Sequence, residues 1–187
     1  MKPIVLDHFS RRKEFIQMLK ERGAKFGVEV GTDHGQYAQQ LCEGIPDLNL
    51  TCVDPWMAYT EGDKVHTQEE VDKIYEEAKS RLKPYKAHLL RETSMESVEK
   101  LMDNEIDFVF IDANHEYKHV LEDITEWTKK VKPGGIVAGH DYVEDKVNNY
   151  GVIEAVQEYT KENNIAPLFI LHGGGRLTDC WMFIKQP

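Results

Sequence analysis

Two apolar runs in the middle of the chain each end in residues that could do acid–base or metal chemistry. The run Phe108–Ile111 is followed by Asp112 and, three residues later, by His115. After a helix-length amphipathic segment and a Pro-Gly-Gly turn, a second run ends in His140 and Asp141. Neighbouring parallel strands end at the same edge of a sheet, which is where open α/β sheets bind ligands. We therefore expect these four side chains to share one cleft, and the pattern indicates an enzyme.

The composition narrows the functional classes before any element is assigned. The length of 187 residues suits one domain, residues 1–187, with a full core. A formal charge of -10 disfavours a general nucleic-acid binder, which needs a basic stripe. Three cysteines without metal-type spacing are typical of reduced, buried thiols in a cytoplasmic protein. No apolar run suits a membrane span or a signal peptide, so no membrane partner is expected.

Strand-like and helix-like segments alternate along most of the chain. Strands are predicted at residues 26–30, 48–53, 87–90, 106–111, 136–138, 168–171 and 181–184. Helices are predicted at residues 10–22, 35–43, 68–82, 94–102, 116–131 and 152–159. The alternation predicts an α/β fold: a Rossmann-like, mostly parallel seven-stranded sheet with helices on both faces and a C-terminal antiparallel hairpin. Residues 1–23 would hold an N-terminal helix, and residues 55–83 a lid-like insert with its own helix, irregular over residues 55–67.

The segment Glu29-Val30-Gly31-Thr32-Asp33-His34-Gly35 leaves a strand and enters a helix. Gly31 permits a tight turn with close backbone approach to a ligand, and Gly35 lets the helix pack closely. The pattern is not G-x-G-x-x-G, and the carboxylate of Asp33 would repel a pyrophosphate. The turn favours a ligand that carries a cation and no phosphate. The alternative is an ordinary strand-to-helix turn.

Asp54 ends the second predicted strand, at a distance from Glu29 that fits a carboxylate contact to both hydroxyls of a ribose. The alternative is a loop acid that precedes Pro55. Trp56 and Met57 follow, and would cover an adenine or the mouth of the pocket, or else pack on the insert. The glycine turn and the strand-end acid together are more specific than either alone.

These motifs resemble the class I S-adenosylmethionine-dependent methyltransferases. The glycine turn is similar to their first motif and Asp54 to their ribose-binding acid. Residues 106–112 and 132–135 are similar to their fourth strand and to the turn before their fifth. Residues 110–117 with 139–142 resemble a subgroup of small O-methyltransferase-like domains, some of which are bacterial sugar and antibiotic methyltransferases. The family has a glycine where this chain has Asp33.

The resemblance implies S-adenosylmethionine as the cofactor and suggests its contacts. Glu29 would hold the methionine amino group, Asp54 the ribose, and Asp112 would line the amino group and the reaction centre. Ser94 would lie beside the adenine with Met95 on the ring, although Ser94 fits a helix N-cap equally well. The expected cofactor contacts are Glu29, Gly31, Thr32, Asp33, Gly35, Asp54, Pro55, Trp56, Ser94, Met95 and Asp112.

Methyl transfer to a hydroxyl oxygen needs alignment, exclusion of water and a place for one proton. His115 and His140 are the candidate bases, with Asp112 at the same catalytic centre. A divalent metal could act instead, and the resemblance places its ligands at Asp112, His140 and Asp141. The imidazole in that set favours Mn²⁺ over Mg²⁺. The remaining alternative is that His140 and Asp141 only cap strand ends.

Three functions fit these residues. The first is an O-methyltransferase that acts on a small-molecule hydroxyl, since no added substrate domain is recognised beside the cofactor fold. The second is a nicotinamide-dependent oxidoreductase, which the missing G-x-G-x-x-G and the acidic turn disfavour. The third is a non-catalytic domain that binds S-adenosylmethionine or a protein partner.

Overall fold

A computed structural model of the chain describes residues 3–6, 11–61, 64–145, 150–172 and 179–187. Its strands are β1 (Ile4–Leu6), β2 (Phe26–Val30), β3 (Asn49–Asp54), β4 (Tyr59–Glu61), β5 (Lys64–His66), β6 (Ala87–Arg91), β7 (Ile106–Ile111), β8 (Val131–Gly139), β9 (Phe169–Leu171) and β10 (Cys180–Ile184). Its helices are α1 (Arg11–Glu21), α2 (Gln36–Gly44), α3 (Gln68–Leu82), α4 (Ser94–Val98), α5 (Tyr117–Lys130) and α6 (Val152–Glu162). None of these described helices has both the length and the apolar character that crossing a membrane requires.

Eight strands form one sheet in the order β1-β9-β10-β8-β7-β2-β3-β6. β10 runs antiparallel to β8 and β9, and the other neighbours are parallel. The order of the strands reverses at β2, which has β3 on one side and β7 on the other. Such a reversal creates a crevice at the carboxyl ends of the strands, where open α/β sheets bind ligands. The predicted mostly parallel architecture with a C-terminal antiparallel pair is confirmed.

Helices cover both faces of the sheet because each carries one apolar face. α1 and α2 pack on one face in a cluster that includes Phe15 and Leu41. α5 and α6 pack on the other face in a cluster that includes Trp127 and Val156. β7 is therefore buried on both sides, which explains its almost uninterrupted apolar sequence.

The prediction of seven strands is one strand short. β1 is an edge strand whose three residues pair in parallel with β9, Ile4 opposite Phe169. Three residues are too few to show a two-residue period, and the partner lies near the other end of the chain. The segment 55–67, predicted to be irregular, contains the antiparallel hairpin of β4 and β5, with Tyr59 opposite His66.

The start and end of α4 also differ from the prediction. The helix ends at Val98 rather than Met102, and its N-cap is Thr93 rather than Ser94. Thr93 and Glu96 form a reciprocal capping box, in which each side chain accepts from the other residue's amide. The hydroxyl of Ser94 is thereby left for other partners.

Candidate active site

Strand register brings the ends of β7 and β8 together, beside the end of β2. Val30 pairs with Ile111, and Ile111 pairs with Gly139. The amide of Asp112 donates to the carbonyl of Val30 over 2.7 Å, and that of His140 donates to the carbonyl of Ile111 over 3.1 Å. Asp112 and His140 therefore leave adjacent strands at one edge of the sheet, as the two apolar runs predict.

The turn after β2 is shaped by how closely β7 passes it. Gly31 has φ +90°, and a Cβ there would lie 2.0 Å from the backbone oxygen of Asp112. Its amide donates to the carbonyl of Val53 over 2.8 Å. Gly35 has φ +71°, and a Cβ there would come within 3.3 Å of the Cα of Ala78 on α3. Close packing requires the glycine at position 31, and the left-handed backbone favours it at position 35. Their contact with a cofactor stays a prediction.

Acidic groups surround this turn. Glu29 is buried in β2 immediately before the turn, Thr32 is buried in it, and Asp33 is exposed with φ +49°. This part of the edge therefore suits a ligand with a positive charge.

Asp54 links the end of β3 to the same turn. Its Oδ2 accepts from the amide of Asp33 over 2.9 Å, and its Oδ1 accepts from the amide of Trp56 over 2.8 Å. Burial raises the pKa of Asp54, although these two amides act in the opposite direction. A carboxylate has about four lone-pair sites, so both oxygens can still accept from hydroxyls of a ligand.

Trp56 packs inward, against α3. Its side chain is 2% exposed, and its ring meets Tyr75 edge-on with the ring centroids 4.9 Å apart. Its Nε1 donates to the carbonyl of Asp33 over 3.1 Å. This placement agrees with the packing alternative for Trp56. Pro55 before it is half-buried, and Met57 after it is 57% exposed.

Ser94 joins a buried polar network between α4 and α5. Its hydroxyl donates to Oδ1 of Asp123 and accepts from Nε1 of Trp127, the latter over 2.8 Å. Asp123 is buried, and this burial raises its pKa to about 6 despite the hydrogen bond from Ser94. Met95, next in the chain, is half-buried and packs against the core cluster of α5 and α6.

Asp123 is not among the site residues predicted from the sequence. It stands on the inward face of α5 with Val120, Ile124 and Trp127, all of which are buried. The sequence feature that could have identified it is a single acidic residue among apolar residues that recur at helical spacing. A charged residue gains nothing from packing there, so it calls for a polar explanation.

The side chains of Asp112, His115, His140 and Asp141 form one cluster. His115 Nε2 lies 2.8 Å from Asp141 Oδ2 and 3.9 Å from Asp112 Oδ1. His140 Nδ1 lies 3.3 Å from Asp141 Oδ1 and 3.8 Å from Asp112 Oδ1. Within the described residues, the group with metal-ligand geometry is Asp112, His115 and Asp141, whose ligand atoms lie within 4.8 Å of one another. It contains His115, whereas the family resemblance implies His140 in this set.

His115 is held between two carboxylates and an aromatic ring. Tyr150 stacks on its imidazole with ring centroids 4.4 Å apart, and the amide of Gly151 donates to its carbonyl over 2.8 Å. Burial lowers the pKa of His115, but the carboxylates of Asp112 and Asp141 raise it more, to about 9. In this arrangement the imidazole carries a proton at neutral pH.

Comparison with known proteins gives a family and one curated relative. A family model described as a methyltransferase domain matches residues 28–142. The uncharacterized protein y4gI of Sinorhizobium fredii is 30% identical over 131 residues. That alignment covers 67% of this chain and 14% of the relative, so the chain spans only a small part of that protein's length.

Solved structures share the fold at low identity. An O-methyltransferase from Bacillus cereus in complex with SAH has a TM-score of 0.66 and 15% identity, covering 93% of this chain and 80% of that one. An O-methyltransferase of tomaymycin synthesis from Streptomyces achromogenes, in complex with SAM, has a TM-score of 0.64 and 16% identity, covering 93% and 79%. The N-methyltransferase NodS from Bradyrhizobium japonicum has a TM-score of 0.62 and 14% identity, covering 94% and 95%. One fold thus serves oxygen and nitrogen acceptors, so the acceptor must be inferred from the site.

Proposed function

The chain belongs to the methyltransferase domain family, and we propose that it transfers the methyl group of S-adenosylmethionine to a hydroxyl oxygen of a small molecule. The observation that carries the proposal is the meeting of two sets of groups at one switch point. Asp54 and the glycine turn end β3 and β2, while the cluster of His115, Asp112 and Asp141 follows β7 and β8. A cofactor held by the first set would present its reactive end to the second.

The acids near β2 and β3 fit the charge of this cofactor. When bound, S-adenosylmethionine supplies a methyl group on a positively charged sulfur, and it carries an ammonium group but no phosphate. We assign the ammonium to Glu29 and the ribose to Asp54, with Asp112 between these groups and the acceptor. The carboxylate of Asp33 at the turn opposes the pyrophosphate of a dinucleotide, which argues against the oxidoreductase alternative.

We assign the proton of the acceptor to His115 in preference to His140. His115 lies nearest to a carboxylate, 2.8 Å from Asp141, and Tyr150 fixes the plane of its ring. Because its pKa is about 9, His115 can accept this proton only in its deprotonated form, which is a minor form at neutral pH, so turnover should rise as the pH approaches 9. The carboxylates that raise this pKa also stabilise the imidazolium that results. A hydroxyl must lose a proton as its oxygen is methylated, and a base placed beside the acceptor would take that proton.

The same cluster fits a divalent metal ion. Two carboxylates and one imidazole suit Mn²⁺ better than Mg²⁺, which prefers oxygen ligands. A metal held by Asp112, His115 and Asp141 would supply positive charge beside the acceptor oxygen. Chelator treatment separates the two roles of His115. Turnover that survives EDTA assigns the proton to the histidine, and turnover that is lost and restored by Mn²⁺ assigns the cluster to a metal.

An acceptor screen tests the function itself. Formation of S-adenosylhomocysteine is measured with sugars, phenols and metabolite pools, with and without added metal. Turnover that requires an acceptor hydroxyl, and methylated product recovered from it, would support the proposal. Binding of S-adenosylmethionine by calorimetry without turnover on any acceptor would instead support a non-catalytic binding domain. Tighter binding of NADH would contradict the cofactor assignment.

A further inference from the structure

The two partners of the Ser94 hydroxyl fix the direction of its proton. The indole N–H of Trp127 can only donate, and it lies 2.8 Å from Ser94 Oγ. The ionised carboxylate of Asp123 can only accept, so Ser94 donates its proton to Oδ1 of Asp123. Burial raises the pKa of Asp123 to about 6, which leaves this group ionised at pH 8. The oxygen of Ser94 then retains one lone pair, which can only accept.

Helix capping does not account for this network. Thr93 caps α4 through its capping box with Glu96. Asp123 is 4% exposed on an otherwise apolar face, where an ionised carboxylate destabilises the fold unless hydrogen bonds compensate. The buried carboxylate of Asp123 therefore has one structural effect that these contacts show: it orients the hydroxyl of Ser94, which is half-buried.

The strand order places this hydroxyl on the base side of the proposed cofactor. Asp54, the proposed ribose ligand, pairs in register with Arg91 at the end of β6, and Ser94 follows three residues later. The ribose of the cofactor carries the sulfur at one end and the base at the other. Since the sulfur must reach Asp112 and His115 beyond β2, the base extends in the other direction, toward β6 and the start of α4.

We propose that Asp123 and Trp127 orient Ser94 as an acceptor that selects a purine with a 6-amino group over one with a 6-oxo group. The inference rests on the proposed function, because it requires an S-adenosyl ligand at Asp54. A 6-amino group donates to the remaining lone pair of Ser94. A 6-oxo group brings a second acceptor against that lone pair, and Ser94 cannot turn its proton toward the ligand while Asp123 holds it. Asp123 and Trp127 are thus positioning residues.

Calorimetry at pH 8 with S-adenosylhomocysteine and S-inosylhomocysteine tests the proposal, because the two compounds differ at position 6 of the purine. The wild-type protein is expected to bind the adenosyl compound about 10- to 100-fold more tightly. Asp123→Leu removes the acceptor and suits the apolar stripe, so the Ser94 hydroxyl is free to turn. The preference should then fall to less than about 3-fold. Asp123→Ala should give the same fall, and circular dichroism confirms that each variant is folded.

Thr93→Ala is the matched control, since it removes the cap of the same helix without changing the Ser94 hydroxyl. It should lower the Tm and leave the preference unchanged. Asp54→Ala should weaken the binding of both compounds by the same factor. A preference that survives in both folded Asp123 variants would overturn the orienting role alone. Failure of the wild-type protein to bind either compound would overturn the proposed function, and this inference with it.

Discussion

At the carboxyl ends of the strands, the part of the site beside β2 and β3 differs from the part beside β7 and β8 in the groups that form it. On the β2–β3 side, backbone groups define the geometry: Gly31 leaves room for the β7 backbone, and two amides fix the carboxylate of Asp54. On the β7–β8 side, side-chain charges define it, with His115 set between Asp112 and Asp141. The first side is thus defined by the geometry of the backbone, and the second by the interaction between one imidazole and two carboxylates. Substitutions on the first should change affinity, and substitutions on the second should change turnover.

The largest effect is expected from His115→Ala. If His115 takes the acceptor proton, its loss should lower kcat by roughly 10²–10⁴-fold and leave the affinity for S-adenosylmethionine within about 3-fold. Steady-state kinetics and calorimetry on the same preparation measure both quantities. His140→Ala is the matched control, and it should lower kcat less because its ring nitrogen lies 3.3 Å from Asp141, against 2.8 Å for His115, while both rings lie at a similar distance from Asp112. Equal losses in the two variants would contradict the assignment to His115.

Asp54→Ala should produce the opposite pattern. Both ribose hydroxyls lose a charged acceptor in a partly dry site, which costs roughly 2–3 kcal/mol, or about 30- to 150-fold in affinity for S-adenosylmethionine. Calorimetry measures the change. Asp47→Ala is the control: Asp47 precedes β3, at the opposite end of this strand from Asp54, and pairs with Lys86. This variant should leave the affinity unchanged. An Asp54 variant that binds as tightly as the wild type would refute the ribose assignment.

The contrast between the two sides explains what the sequence could predict. The glycine turn and Asp54 lie where a strand ends, and a local pattern of apolar residues, glycine and acid marks them. The preference for His115 over His140 in the metal-ligand set depends on side-chain direction. That direction reflects the stacking of Tyr150 and the left-handed backbone of Asp141, with φ +52°, which no spacing rule encodes.

Fold prediction divides in the same way. Strands with long apolar runs, such as β7, and helices with clear apolar faces, such as α5, were predictable because burial on a sheet imposes their pattern. β1 was missed because three residues acquire their structure from pairing with the distant β9. In the sequence, Ser94 suits an N-cap and an adenine contact equally well. The capping box at Thr93 excludes the first role, and the second stays a prediction.

A smaller effect is expected on the stability of the fold, because the carboxyl group of Asp123 should make the free energy of unfolding depend on pH. Burial raises its pKa to about 6 in the folded state, against 3.8 ordinarily, so the folded state binds the proton more tightly than the unfolded state. The free energy of unfolding should therefore fall as pH rises from about 4 to about 6, and stay lower above that range. Asp123→Asn should remove this decline and gain up to about 3 kcal/mol relative to wild type between pH 4 and pH 8. Urea unfolding at several pH values measures the difference, and a gap between the two proteins that does not change with pH would contradict the shift.

The smallest effect concerns the hairpin of β4 and β5, which leaves the β3 side and carries exposed apolar side chains. Met57, Tyr59 and Val65 are 57%, 48% and 64% exposed, whereas Trp56 at its base is buried and its carbonyl accepts from Gln68. A bound ligand can bury the exposed apolar side chains of the hairpin and so stabilise it. Trp56 is already buried and hydrogen-bonded, so the ligand should stabilise its surroundings much less. We expect amide hydrogen exchange over residues 57–61 and 64–66 to slow when S-adenosylhomocysteine binds, while exchange at Trp56 changes little. Equal protection with and without ligand would mean that the hairpin is a fixed part of the fold. The β2–β3 side of the site would then have the same structure with and without the cofactor.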